Sequence, residues 1–272
     1  MHRIFAQHNW FSLMKIKEVA EALERFAPLP LQESYDNAGL QIGLTDADAS
    51  GVLLCLDVTE EIIEEAEREG CNLIIAHHPL LFRGLKCIAD RNMVERCVRR
   101  AILAGITIYA AHTNLDNAEG GVNFAIAERL CLQNVRFLQP LPSGAGGSGI
   151  IGELPECLSP LDFLHLVKRE FQVDALQHNA LPARSIKRVA LCGGSGDFLL
   201  GEAIKQGADA FLTGEMGYHQ FFGYDHQILI AALGHYQSEQ FTVQLMANIL
   251  RDAFPNLRIV ETSINTNPIH YL

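Results

Sequence analysis

Leu73-Ile74-Ile75-Ala76-His77-His78-Pro79 decides how this chain is read. The apolar run is too short for a helix and reads as a buried strand. Pro79 has no amide proton to give to a ladder, so pairing stops before it. The two imidazoles therefore stand at a strand's C-terminal end, the edge at which open α/β sheets bind ligands. Neighbouring strand side chains point to opposite faces. At a strand end the backbone turns, and both rings can then serve one site or two adjacent ions. Taken alone the pair fits two readings, hydrogen-bonded loop residues or ligands.

The flanking sequence supplies a strand–helix–strand frame. Residues 51–56 (GVLLCL) read as a buried strand. Asp57 or Thr59 then caps a helix over 59–69, which turns Ile62, Ile63 and Ala66 inward and stops at Gly70. The His-His strand follows, an order that favours parallel pairing. A helix over 92–104 ends at Gly105, and the strand 106–111 (ITIYAA) runs into His112-Thr113-Asn114-Leu115-Asp116. Residues 122–132 are helical. Upstream, 15–26 is an amphipathic helix stopped by Pro28 and Pro30. Residues 34–43 (SYDNAGLQIG) form a turn entering a short strand, or a pocket lining through Asp36 and Asn37. Residues 160–171 are another helix, and Ile186 opens a second α/β half.

That second half repeats the first. Val189 to Gly194 parallels Val52 to Asp57, and Ala208 to Glu215 parallels Cys71 to His78, with Glu215 opposite His78. Residues 227–233 (QILIAAL) parallel 106–111 and lead into His235-Tyr236-Gln237-Ser238-Glu239, so His235-x-x-x-Glu239 answers His112-x-x-x-Asp116. Matching polar endings on matching strands indicate a duplicated unit. The expected fold is α/β: duplicated strand-helix-strand halves, mostly parallel or mixed sheets, two similar lobes around a central metal cleft.

Composition bounds the function. The chain has 272 residues, 49% hydrophobic and 19% charged, an ordinary globular balance. A formal net charge of −11 argues against a sequence-independent grip on nucleic acid. Seven cysteines are spread singly with no C-x-x-C pair, which fits a reducing compartment, and the expected location is the cytoplasm. No apolar segment approaches the ~18–20 residues that span a bilayer. Residues 1–13 lack the apolar core of a signal peptide and read as a weakly ordered extension ahead of Met14. Residues 140–149 (PLPSGAGGSG) read as a Gly-rich loop or linker and lack the Gly-Lys-Ser/Thr of a P-loop. The expected organisation is thus an extension over 1–13, a first lobe over 14–139, the loop over 140–149 and a second lobe over 150–272.

The strand endings collect His77, His78, His112, Asp116, Glu215, His235 and Glu239. Imidazoles and carboxylates without nearby cysteine suit Zn, Mn, Fe(II) or Co. At helical i,i+4 spacing, His235 and Glu239 share one face and can grip one ion or two adjacent ones. Bland readings stand beside these, His112 as a buttress and Glu239 as a first-turn carboxylate favoured by the helix dipole.

These pieces carry a family resemblance. Residues 36–43 (DNAGLQIG), Ala76-His77-His78-Pro79-Leu80, His112 to Asp116, Thr213-Gly214-Glu215 and Gly234 to Glu239 stand in order over nearly the whole chain from Met14. In this the chain resembles the GTP cyclohydrolase I type 2 homologs, or NIF-three-like proteins. The resemblance implies two divalent ions held by His77, His78, Asp116, His235 and Glu239. It makes His112, Asn37 and Glu215 supporting or substrate-binding residues, and it implies a homohexamer. The chain departs from the family near Gly147-Ser148, where an arginine often stands. Two functions follow as expectations: a metal-dependent hydrolase of a nucleotide or related small molecule, or a metal-handling or regulatory binding protein without turnover.

Overall fold

The computed structural model describes residues 14–272 apart from Asp225 and Tyr271, so the expected extension over 1–13 lies outside the described residues. The first half runs α1 (Ile16–Phe26), β1 (Gly39–Ile42), β2 (Val52–Cys55), α2 (Glu60–Arg68), β3 (Leu73–Ala76), α3 (Met93–Ala104), β4 (Thr107–Ala110), α4 (Thr113–Asp116) and α5 (Val122–Arg129). A hairpin of β5 (Gln133–Pro140) and β6 (Gly147–Leu158) follows. The second half runs α6 (Pro160–Phe171), β7 (Gln177–His178), β8 (Ile186–Cys192), α7 (Leu200–Lys205), β9 (Ala210–Thr213), β10 (Leu229–Ala232), α8 (His235–Glu239), α9 (Thr242–Ala253) and β11 (Ile259–Glu261).

The strands form two sheets, ordered β1-β4-β3-β2-β11 and β5-β6-β8-β9-β10-β7. Each has a parallel trio, β2-β3-β4 or β8-β9-β10, flanked by an antiparallel strand, β1 on β4 or β7 on β10. The duplicated α/β unit read from the sequence is what the chain builds. β2, β3, β4, β9 and β10 are buried at every position, and apolar there apart from Thr107 and Thr213, because both faces are covered. Val52, Leu54, Leu73 and Ile75 face one core, and so do Val189, Leu191, Leu212 and Leu229 of the other sheet. Helices α1, α5, α6 and α9 contribute to that shared core. The alternate residues face outer cores, Leu53 and Ile74 against α2 and α3, Phe211 and Ile230 against α7. The helical layer between the sheets therefore fixes how the two sets of strand ends meet.

The sheets do not part at residue 140. β5 precedes the expected boundary yet joins the second sheet, and β11 comes from the far end of the chain to pair with β2 in the first. Of the two readings of PLPSGAGGSG, loop or linker, the chain builds the loop, a hairpin turn over 141–146 between two strands of one sheet. Pro140 ends β5, Gly147-Ser148-Gly149 open β6, and Leu141 N donates to Gly146 O across the turn at 2.8 Å. The glycines answer close packing: a Cβ at Gly147 would lie 2.7 Å from Gln139 O, and one at Gly149 would lie 2.6 Å from Leu199 Cδ1.

Candidate metal centre

The parallel trios end on the same side of the molecule's central layer, and their endings supply the site. Past β3 come His77 and His78, past β4 His112, and the single turn of α4 presents Asp116. From the second sheet, Glu215 follows β9, and α8 starts at His235 and ends at Glu239. The helix expected from the His235-x-x-x-Glu239 spacing is therefore present, and His235 Nε2 lies 3.1 Å from Glu239 Oε2. Ring centroids are 4.9 Å apart for His77 and His78, 5.3 Å for His77 and His112, and 5.2 Å for His78 and His235.

Each imidazole is held by its Nδ1. His77 Nδ1 donates to Ala111 O at 2.8 Å, His78 Nδ1 to Asp57 Oδ1 at 2.7 Å, and His112 Nδ1 to Asp36 Oδ1 at 2.8 Å. His235 Nδ1 lies 3.2 Å from Glu215 Oε1. A carbonyl can only accept, so His77 carries its proton on Nδ1 and offers a bare lone pair at Nε2. Anchoring the remote nitrogen on a carbonyl or carboxylate is how proteins orient metal-binding imidazoles.

The inward atoms fall into two triads that share one carboxylate. His78 Nε2 is 3.0 Å from Glu239 Oε2 and 3.3 Å from His235 Nε2. His77 Nε2 is 3.6 Å from Asp116 Oδ1 and 3.8 Å from Glu239 Oε1, too long for hydrogen bonds. Both His77 Nε2 and Asp116 Oδ1 are buried without a hydrogen-bond partner among the described residues. Buried polar atoms in this state are costly unless something satisfies them. A divalent cation does so for two facing lone-pair donors, and the donors present fit one. His77, Asp116 and Glu239 could hold one ion; His78, His235 and Glu239 could hold another; His112 groups with His77 and His78.

Backbone makes the room. Gly194, at φ +58°, follows β8 so closely that a Cβ there would collide with Glu239 Oε1. Ser238 ties this loop to α8: its hydroxyl accepts from Gly194 N at 2.9 Å and donates to His235 O at 2.7 Å.

A family model described as Duf34/NIF3 (NGG1p interacting factor 3) matches residues 14–268. The chain belongs to the Duf34/NIF3 family. The GTP cyclohydrolase 1 type 2 homolog of Lactococcus lactis subsp. lactis (strain IL1403) is 36% identical, covering 94% of this chain and 99% of that protein. NIF3-like protein 1 of Drosophila melanogaster is 32% identical, covering 85% and 80%. Among solved structures, Staphylococcus aureus protein SA1388 superposes with a TM-score of 0.88 at 27% identity, covering 95% of this chain and 99% of that one. Reduced HcgD from Methanocaldococcus jannaschii gives 0.77 at 25% identity, covering 92% and 98%.

The charges in the cluster of this Duf34/NIF3 chain are unevenly compensated. Burial pushes the Asp116 carboxyl upward and the Glu239 charge adds to that, while His77 pulls the other way. Burial also disfavours the Glu239 anion, but the imidazoles of His235, His77 and His78 outweigh it and hold that carboxyl well below the usual range. Burial disfavours a charged His78, yet Asp57 and Glu239 overcome it and raise its pKa to about 10.

All five expected ligand candidates converge here, with His112 and Glu215 beside them. Asn37 does not. Its amide donates to Leu81 O at 2.7 Å and steadies the loop after His78, while its neighbour Asp36 takes the inward place under His112. Asp57 was legible only as one of two caps. Thr59 caps α2 by accepting from Ile62 N at 3.3 Å, which frees Asp57 for His78. Thr266 was not foreseen at all: its hydroxyl donates to Asp57 Oδ2 at 2.9 Å. Two cavities open onto the cluster and share His235 and Ser195. One of about 210 Å³ reaches Tyr35, Phe82, His112 and Asp116; the other, of about 610 Å³, begins at Glu215 and His235.

Proposed function

We propose that this chain is a metal-dependent hydrolase of a nucleotide or related small molecule, with two divalent ions held by His77, His78, Asp116, His235 and Glu239. The observation that carries the reading is the buried, unpartnered His77 Nε2 facing Asp116 Oδ1 at 3.6 Å. Nitrogen and oxygen donors of this kind suit Zn, Fe, Mn or Co. Burial pushes the Cys192 thiol beside them far up, so no thiolate competes. When bound, the ions would supply Lewis acidity and lower the pKa of a nearby water.

The rest is the work of the protein's own groups. Ala111, Asp57 and Glu215 turn His77, His78 and His235 so that each Nε2 faces inward. Glu239 presents one oxygen to each triad. His112, tied to Asp36, lines the smaller cavity, which meets the larger one at His235 and Ser195, and there its Nε2 can hold or move a proton. The names of the curated relatives make purine-ring hydrolysis the first reaction to try. The same proposal includes a homohexamer and a cytoplasmic location, which the seven free thiols suit. No helix among the described residues is long and apolar enough to cross a membrane.

Protein purified without added metal is the test. Mass spectrometry should find close to two ions per chain, falling in His77→Ala and Glu239→Ala, and a panel of GTP and phosphodiesters should show turnover lost in the same variants. Protein that keeps its metal and is inert across the panel would favour the metal-handling reading instead. Light scattering reads the assembly.

A further inference from the structure

The cavity of about 610 Å³ is far larger than an ion and its waters require, and its size matches pockets that enclose small organic ligands. It lies past the C-terminal ends of β9 and β10, where α/β sheets bind ligands. His235 of the metal cluster forms part of its wall. Leu176, Met216 and Ile269 give it apolar surface; Gln177, Asp197 and Glu215 give it polarity. Asp197 Oδ2 accepts from Gln220 Nε2 at 2.7 Å, which orients the carboxylate and leaves Oδ1 for a ligand. Glu215 Oε2 accepts from Ser195 Oγ at 2.6 Å, fixing the second carboxylate at the cluster end.

The charge of the lining decides what fits. The chain has 21 lysines and arginines, yet none of the described ones lines this cavity or the smaller one on the cluster. Nor does any line the adjoining cavity of about 580 Å³, which shares Gln177 and Met216 and carries Tyr218, Phe221 and Phe222. Phosphate-binding sites normally answer charge with arginine, lysine, clustered amide donors or a metal ion, and of the five proposed ion ligands only His235 reaches this cavity, at one end of it. Here an anion would meet two carboxylates. A ring with N–H donors would meet acceptors at its edge and apolar side chains at its faces.

The geometry points to this cavity as the seat of an uncharged or cationic, donor-bearing heterocycle of nucleobase size, gripped by its ring rather than by phosphate. This rests on the hydrolase reading above and names its substrate class: the heterocycle end is bound at Glu215 and Asp197, beside His235, and any phosphate chain stays outside.

Guanosine, GTP and inorganic tripolyphosphate are suitable probes, each applied by equilibrium dialysis to the metal-containing protein with its metal content measured in parallel. Guanosine should bind within about threefold of GTP, with little change between about 50 and 300 mM salt, because the phosphates contribute no screened attraction. Tripolyphosphate should not displace it. Asp197→Asn should weaken both nucleosidic ligands about tenfold, the scale of a lost charge-assisted hydrogen bond. Ala175→Trp, at an exposed wall position that does not burden the core, should block both. Neither variant should alter metal content. GTP binding tenfold or more tighter than guanosine with steep salt dependence, displacement by tripolyphosphate, or full affinity in both variants would overturn the inference. Failure of guanosine to bind protein that holds its ions overturns it too and leaves the metal reading standing. Guanosine binding to protein that never holds metal sinks the metal reading alone.

Discussion

Asp57 is one hydrogen bond from each of two residues far apart in the chain, His78 at 2.7 Å and Thr266 at 2.9 Å. The second bond holds the carboxylate that holds the imidazole. Supporting bonds of this kind are worth about 10–100-fold in metal affinity. Thr266→Val should therefore weaken binding of the ion at His78 by about tenfold, whereas Thr266→Ser, which keeps the hydroxyl, should not. A chelator-competition titration distinguishes them, and equal affinity in all three proteins would show that Asp57 needs no support. Asp36 plays the same part under His112, and its signature is pH. Burial pushes its carboxyl up, but hydrogen bonds from His112 and Thr113 outweigh that and hold it at about 2, below the ordinary 3.8. The folded value is the lower one, so the stabilisation is complete above pH 3.8 and is lost as pH falls through about 2. A depression of this size is on the order of 2 kcal/mol. Asp36→Asn should lower the melting temperature by a similar amount wherever the pH is above 3.8, with the gap to wild type narrowing below that and closing only near about pH 2. A gap independent of pH would assign the loss to shape rather than charge.

At the scale of elements, the two halves have diverged at two matching strand endings, where the first supplies Asp57 and His77 and the second supplies glycine. Strand pairing sets Val52 level with Leu73 and Val189 level with Ala210, so the duplication carries Asp57 onto Gly194 and His77 onto Gly214. A Cβ at Gly214 would lie 2.6 Å from Gly194 O and 2.7 Å from Ser238 Oγ. Gly194→Ala should cost more than backbone strain alone, because φ is +58° and Glu239 is in the way. Gly70→Ala is the control: φ is +65°, but nothing lies within 4 Å of the added carbon. The control should lose about 1 kcal/mol and keep its metal. Gly194→Ala should lose more stability in thermal melts and lose metal as well; full metal occupancy there would show that Glu239 can retreat. The strands and their polar endings were legible in the sequence because runs such as LIIA and AFLT have nowhere to go but a doubly covered sheet. The His235/Glu239 grip was legible because helical spacing dictates it. What escaped had a local reading that competed. PLPSGAGGSG looks flexible, yet Gly147 and Gly149 exist for close packing in a strand. Asp36 and Asn37 are adjacent, and nothing in the chain says which one turns inward. β11 and Thr266 gain their meaning only from partners at β2 and Asp57, some two hundred residues away in sequence.

For the whole molecule, the cluster is where the two sheets meet. His77, His78 and Asp116 come from the endings of the first, His235 and Glu239 from α8 after the second. Without a cation, Asp116 and Glu239 face one cluster of imidazoles as like charges, and desolvation together with Glu239 already pushes the Asp116 carboxyl up. Ions held between them would therefore act as a clamp across both halves, and their removal should be felt globally. Anything that binds the native state alone stabilises it by about 2.7 kcal/mol at a hundredfold excess over its dissociation constant. In a chain of this size that is roughly 5–10 °C in melting temperature. Calorimetry before and after chelation, with Zn or Mn returned, should show that drop and its reversal. Glu239→Gln, which withdraws the carboxylate both triads use, should melt at a lower temperature that chelator no longer moves. Hydrogen exchange locates the effect. Stripping metal should expose the amides of Ala111 and Leu233, which bond to Ala76 and Thr213 at the ends of the two parallel trios, to similar degrees. Loss of protection confined to one of them would mean that the ions belong to one half and do not join the two.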